Sequence, residues 1–161
     1  MSEPKGTGTA SDHGASGFHR WLSMLQLAGA ARFGDWSLLG LRLATGAFLI
    51  DGVWDNIISP ARMHEFALFL AQHHFPLPAV AAPVSVWIQF VIGICFVLGF
   101  ATRPAGLLCV ANFIIALAMV HWNEDLRGWW PALALVGIGA LLATLGSGRF
   151  GLDRLAARPD D

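Results

Sequence analysis

The chain has 161 residues, of which 55% are hydrophobic and 13% are charged. A soluble globular domain carries about 25% charged residues, so this composition excludes an ordinary soluble protein and indicates one that lies in a membrane. The formal net charge of −1 provides no basic field, which excludes nucleic acid as a partner and leaves the lipid bilayer as the expected surroundings.

The first 35 residues divide into a tail and a surface segment. Residues 1–17 mix Gly, Ser, Thr, Asp and Pro without a hydrophobic period, which predicts a disordered tail. Residues 18–35 place Phe18, Trp21 and Leu25 at helical spacing beside polar residues, the pattern of an amphipathic helix at a membrane interface. A secretory signal is not expected, because the start is polar and has no compact basic region.

The stretch 36–58 is long and apolar enough to span a bilayer, yet it carries three charged residues. Asp51 and Asp55 lie one helical turn apart, whereas Arg42 points about 180° away from Asp51. The acidic face also holds small residues, which let transmembrane helices approach closely, so we expect both carboxylates to face the inside of a bundle. Arg42, on the apolar opposite face, is expected to reach the headgroups or to pair with another helix.

The following segments predict one short helix and three further spans. Ser59 and Pro60 form a helix start, so an amphipathic helix is predicted from Pro60 to His74, lying across the mouth of the bundle. The four spans are predicted at 36–58, 79–100, 104–122 and 129–146, with a tight turn at 101–104.

The second and third spans contain two pairs of residues that fall at matching depths. Gln89 and Asn112 are predicted to form a hydrogen bond between their helices. Cys95 and Cys109 form no CxxC motif and lie in apolar segments near the side predicted to be cytoplasmic. They are therefore predicted to be free thiols with packing roles.

Lys and Arg residues near the helix ends set the expected orientation. Seven lie on the side of the termini and two, Arg62 and Arg127, on the other, so the positive-inside rule predicts that both termini are cytoplasmic. The predicted fold class is an all-α membrane protein, a four-transmembrane-helix antiparallel bundle with a short outer amphipathic helix between spans 1 and 2. Residues 36–148 form this membrane domain, residues 149–161 form a cytoplasmic tail, and the expected location is the cytoplasmic (inner) membrane.

Polar residues at the outer end of the bundle form the predicted site. Asp51 and Asp55 come from span 1, and His121 ends span 3 at the same level, below the helix at 60–74. Two close carboxylates in a low-dielectric setting need a shared proton or a positive partner, which His121 or Arg127 would supply. A hydrogen-bonded polar cluster is favoured over a divalent metal, because three ligands on two helices without a spacing motif are a weak metal signal.

The expected ligand of this outer cavity is a small molecule or a quinone headgroup. Trp54 and Trp87 are predicted to line the cavity, although tryptophans at such positions also suit membrane-interface anchors. Arg42, Gln89 and Asn112 complete the candidate ligand-binding set.

Four sequence signals carry a resemblance to a known family. They are GLRLATG at 40–46, the Gly52 that follows Asp51, LGFATRPAG at 98–106 and GSGRFGLD at 146–153. With four spans and a helix after the first, the chain resembles the DoxX family of small membrane proteins. Members are similar to the small subunit of a thiosulfate:quinone oxidoreductase, and some are linked with thiol-redox membrane complexes. The resemblance implies a quinone as the cofactor and other redox-complex subunits as partners.

Three functions stay open at this point. The resemblance implies a redox subunit, although the first span carries Asp51-Gly52 and Asp55 where family members often have His-Gly followed by Lys. The absence of a glycine-rich dinucleotide loop, a CxxC motif and a haem motif favours a non-catalytic scaffold or accessory subunit. The acidic pair would suit a small ion- or solute-handling protein. Whether the chain forms a homo-oligomer is also open.

Overall fold

The computed structural model describes residues 33–120 and 125–156, and six helices form this part of the chain. They are α1 Gly34–Ile58, α2 Pro60–Gln72, α3 Pro78–Leu98, α4 Thr102–Met119, α5 Leu126–Leu145 and α6 Leu152–Ala156. Four of them, α1, α3, α4 and α5, are long and apolar enough to cross a membrane. The predicted fold, an all-α four-helix membrane bundle with a short helix after the first span, is confirmed. The predictions for the amino-terminal tail and surface helix, for His121 and for the last five residues lie outside the described residues.

Local chemistry sets both ends of α2. Ser59 Oγ accepts a hydrogen bond from Arg62 N at 3.4 Å and Pro60 follows it, so the helix begins where the sequence predicts. The helix ends at Gln72, earlier than predicted, because His74 adopts a left-handed conformation with φ of 54°. A non-glycine residue with positive φ cannot continue a right-handed helix.

Side-chain caps explain why α4 and α5 begin earlier than predicted. Asp153, on α6, accepts hydrogen bonds from Ala101 N at 2.6 Å and from Thr102 N at 2.9 Å. Asp125 caps α5 by accepting a hydrogen bond from Gly128 N at 3.1 Å. Each carboxylate satisfies backbone donors that have no partner within the helix itself.

The core draws on all four spans. It consists of seven buried residues, Leu49, Ile92, Phe96, Ala105, Cys109, Leu135 and Leu142. Many large apolar side chains lie on the outer surface instead, including Phe48, Leu107 and Trp130. An apolar exterior around a small core is what a bilayer requires, because lipid tails solvate these side chains as well as a protein interior does.

Two glycine pairs bring the spans into close contact. A Cβ built on Gly46 of α1 would lie 2.7 Å from Gly93 O of α3, and one on Gly106 of α4 would lie 2.6 Å from Gly139 O of α5. No side chain fits at such distances, so the backbones themselves meet at both crossings. The crossing of α1 and α3 involves Gly46, which ends the GLRLATG signal.

The inward face of α1 is the reverse of the one predicted. Asp51 and Asp55 are exposed on the outer surface, as are the small residues that continue their face. Arg42 is 1% exposed and lies inside with Leu49 and Val53. The prediction was wrong because it took the small residues beside the two carboxylates as the packing face of α1, whereas Arg42 turns inward and donates to backbone carbonyls.

Candidate functional site

The main candidate site is an apolar cavity of about 330 Å³ between α2, α3 and α4, called here the α2 cavity. Its aromatic and aliphatic lining comes from α2 and the turn after it, from the first half of α3 and from the second half of α4. These residues include Phe66, Phe69, Leu70, Phe75, Ile88, Phe113, Ala116 and Val120. The volume lies at the lower end of the range for small-molecule pockets, which is about 300–1,000 Å³.

The apolar side of α2 covers this cavity as the sequence pattern predicts. Leu70 is buried with Ala82 and Val120, and Met63 and Phe66 pack against the same cluster. The opposite side of α2 is solvated, and there Arg62 Nη1 lies 3.1 Å from Glu65 Oε2 in an exposed ion pair. Such a pair contributes about 0–1 kcal/mol, so apolar packing holds α2 in place.

The polar wall of the α2 cavity is a hydrogen-bonded triad. Ser85 Oγ donates to Asn112 Oδ1 at 3.1 Å, and Gln89 Nε2 donates to Ser85 Oγ at 3.1 Å. Gln89 and Asn112 are brought together as predicted, but Ser85 bridges them in place of the expected direct hydrogen bond. Depth along the bilayer, which the sequence supplies, does not fix the lateral separation between two amides.

Two atoms of the triad keep unused hydrogen-bonding capacity. Within the described residues, neither Asn112 Nδ2 nor Gln89 Oε1 makes a hydrogen bond, and neither atom is fully buried. The amide nitrogen can donate to a ligand and the amide carbonyl can accept from one. The cavity therefore combines an apolar lining with one donor and one acceptor.

The α2 cavity reaches the outer surface of the bundle between α3 and α4. Val84 and Ile115 both line it, and they are each 50% exposed. In a bilayer these side chains contact acyl chains, so an amphipathic molecule can enter sideways from the lipid.

The predicted acidic site takes a different form in the structure. Asp51 and Asp55 line an open, polar groove together with Asn56, Arg62 and Glu65. Arg62 pairs with Glu65, and within the described residues neither aspartate has an ion-pair partner. Because both carboxylates lie on the exterior, they do not form the enclosed cluster that was predicted.

The two tryptophans predicted to line the site lie outside the α2 cavity. Trp54 is 46% exposed and Trp87 is 51% exposed. Their ring centroids lie 6.3 and 5.7 Å from that of Phe90, so the three rings form a patch on the exterior of α1 and α3. Trp54 lines an open surface pocket together with Asp51. The alternative role of the two tryptophans as interface anchors fits their exposure.

A metal would need at least three suitable ligands close together. Across residues 33–120 and 125–156, no group of three or more His, Cys, Asp or Glu side chains is arranged to hold a metal ion. Cys95 and Cys109 are both free thiols, and Cys109 is buried with its Sγ 3.6 Å from Leu135 O.

The opposite end of the bundle is organised around Arg42. Arg42 Nε donates to Phe96 O at 2.8 Å, and Nη1 donates to Ser147 O. A Cβ on Gly99 would lie 2.6 Å from Arg42 Nη2, so the guanidinium is held directly against the backbone. Three of the four sequence signals that carried the family resemblance therefore meet here, at a buried site that holds helices together, and Gly52 lies at the other end of α1.

Sequence reasoning missed several residues that define these sites. Ser85 is a single small hydroxyl in an apolar span, which carries no signal of its own. The α2 aromatics of the cavity gave only an apolar pattern, and that pattern also describes a helix without a cavity. Asp153 had a usable signal, because it ends the GSGRFGLD segment. Its role as a cap for α4 depends on α6 folding back onto the turn at 99–101, which spacing alone does not give.

The fold and the site define a class: small integral membrane proteins with four spanning helices, a lipid-accessible apolar cavity at one end and a buried arginine at the other. Residues 37–122 match the model of the DoxX family. The chain belongs to the DoxX family. It is also similar to the inner membrane protein YphA of Escherichia coli (strain K12), with 30% identity over 95 residues that cover 53% of this chain and 68% of the relative. No solved structure matches the chain.

Proposed function

We propose that this protein is a membrane subunit that binds a quinone, or a similar ring with an apolar tail, in the α2 cavity. The observation that carries the proposal is the Ser85, Gln89 and Asn112 triad set into an otherwise apolar cavity. Amide groups of this kind match the oxygens at the ring of a quinone. The free Asn112 Nδ2 would donate to a quinone oxygen, and Gln89 Oε1 would accept from a quinol hydroxyl.

The apolar part of the cavity suits the ring face and the isoprenoid tail of such a ligand. Phe66, Phe69 and Phe113 supply ring surfaces against which a planar headgroup stacks. The exposed Val84 and Ile115 mark the exit through which an isoprenoid tail would pass into the bilayer. In this proposal the chain holds the quinone, and a partner subunit of a sulfur or thiol redox system delivers the electrons.

Quinone binding to the purified protein in nanodiscs tests the proposal. Asn112→Leu removes the neutral hydrogen bond to the quinone oxygen, which contributes about 1–1.5 kcal/mol to binding. The dissociation constant for a short-chain ubiquinone should therefore rise about tenfold. Ala116→Phe fills the cavity and should abolish binding.

Two control variants separate binding from folding. Ala111→Phe adds the same ring on the exposed side of α4, and Thr144→Val removes an exposed hydroxyl that bonds only within α5. Both should bind quinone as the unmodified protein does. Equal binding by Ala116→Phe and Ala111→Phe would remove the α2 cavity as the site.

A non-catalytic accessory subunit is the second candidate, and one observation favours it. The exterior face of α1 combines Asp51 and Asp55 with small residues that allow close helix packing, which suits another subunit or a second copy of the chain. Copurification from native membranes tests this function. If Asp51→Asn with Asp55→Asn leaves every copurifying protein in place, this face is not the contact.

We further infer an inner-membrane location with both termini on the cytoplasmic side. Support comes from the name of the Escherichia coli relative, which is an inner membrane protein, and from the seven Lys and Arg residues near one side against two near the other.

A further inference from the structure

A second groove lies at the Arg42 end of the bundle, where α4 begins and α5 ends. Its volume is about 450 Å³, and it opens to the surface. Two guanidinium groups line it, those of Arg103 and Arg154, together with apolar and glycine residues and Asp153. None of these groups belongs to the α2 cavity, which the chain places at the opposite ends of α3 and α4.

Among the described residues that line it, the groove carries an excess of positive charge. Within the described residues, the side chains of Arg103 and Arg154 make no ion pair and no hydrogen bond. Asp153 is the one carboxylate that lines the groove, and both of its oxygens already accept hydrogen bonds from Ala101 N and Thr102 N. Two cations therefore face one carboxylate that is committed to capping α4.

Backbone geometry positions one of the two cations. Gly146 has a φ of 76°, and a Cβ at this position would lie 3.2 Å from Arg103 Nε. The missing side chain lets the Arg103 side chain pack against the end of α5, at the edge of the groove. Arg154 lines the groove from α6, where it follows Asp153 in the chain.

The surroundings place this groove at the level of lipid headgroups. Arg103 lies in the first turn of one span, and Leu145 is the last residue of another. Leu107 is 63% exposed and Leu145 is 56% exposed, so an apolar surface runs from the groove along the bundle exterior. A phosphate in the groove would have its acyl chains beside these leucines.

We propose that this groove binds the phosphate of an anionic phospholipid. The two guanidinium groups form charge-assisted hydrogen bonds to the phosphate oxygens, for which their planar forks are suited. The exposed leucines take the acyl chains. Basic pockets between spanning helices hold anionic lipid headgroups by this combination of charge and apolar contact.

Native mass spectrometry of the purified full-length chain, titrated with defined lipids, tests the proposal. Phosphatidylglycerol should bind more tightly than phosphatidylcholine of the same chain length. Arg103→Gln with Arg154→Gln should weaken phosphatidylglycerol binding about 30-fold, because each arginine contributes about 1 kcal/mol to the binding free energy. Arg103→Lys keeps the charge and should retain part of the binding.

The control changes the two arginines near the other end of the bundle. Arg62→Gln with Arg127→Gln removes the same charge and should leave phosphatidylglycerol binding unchanged. Circular dichroism of each variant checks that the helices form.

Three results would overturn the proposal. They are equal affinity for phosphatidylglycerol and phosphatidylcholine, equal loss in the two double variants, and displacement of phosphatidylglycerol by millimolar inorganic phosphate. The last result would indicate a site for free phosphate in place of a lipid.

Discussion

Arg42 shows how backbone carbonyls can accept hydrogen bonds from a single buried charge in a membrane protein, with no ion pair to it among the described residues. Its two acceptors are Phe96 O in the last turn of α3 and Ser147 O just after α5. Carbonyls at helix ends lack partners within the helix and carry the negative end of the helix dipole. One guanidinium on α1 therefore satisfies the ends of two other spans and ties three helices together.

Arg42→Leu should lower the free energy of unfolding by about 2–4 kcal/mol, because at least two buried carbonyls lose their donor. Arg42→Lys should recover only part of this loss, since an ammonium group lacks the wide fork that reaches both carbonyls. Chemical unfolding in detergent measures the difference.

The matched control for this prediction is Arg62→Leu, whose side chain is 60% exposed and whose ion pair is worth about 0–1 kcal/mol. If Arg42→Leu and Arg62→Leu unfold at the same denaturant concentration, Arg42 does not hold the helices together.

At the scale of helices, close backbone contact decides how α1 meets α3. Gly46 and Gly93 face each other, and each glycine leaves room for the backbone of the other helix. Gly40 lies six residues earlier on the same helix, and a Cβ there would meet nothing within 4 Å. The two glycines on α1 therefore have different roles, although they open and close one sequence signal.

Gly46→Ala should destabilise the protein by about 1–3 kcal/mol, the usual effect of overpacking, because its Cβ would lie 2.7 Å from Gly93 O. Gly40→Ala should be neutral or stabilising by up to about 1 kcal/mol, since alanine favours helix more than glycine does. Thermal unfolding of the two variants in the same detergent measures both effects. Similar melting temperatures would show that α1 and α3 do not cross at Gly46.

At the scale of the whole molecule, the sequence predicts the fold better than the site. Four apolar stretches and the Ser59 and Pro60 start were enough to locate the helices, because length and capping are local properties. The inward face of α1 was not predictable in this way. It depends on which helix ends surround Arg42, and those ends lie 54 and 105 residues away along the chain.

The site was only partly predictable for a related reason. The pairing of Gln89 with Asn112 follows from their depth, yet the bridge through Ser85 depends on the rotation of α3. A cavity forms where the side chains of neighbouring helices leave the space between them unfilled. The apolar pattern of α2 alone could not reveal one. The exposed positions of Trp54 and Asp51 follow from the same rotation of α1 that buries Arg42.

The proposed orientation of the bundle rests on the charge near the helix ends, and it gives the last prediction. Glu65 on α2 and Leu155 on α6 are both exposed and belong to opposite ends of the bundle. With cytoplasmic termini, a membrane-impermeant maleimide added to intact spheroplasts should label Glu65→Cys. It should label Leu155→Cys only after the membrane is opened. The unmodified chain, with its two cysteines inside spanning helices, provides the background. The reverse labelling pattern would place the termini outside, and the α2 cavity would then open towards the cytoplasmic leaflet.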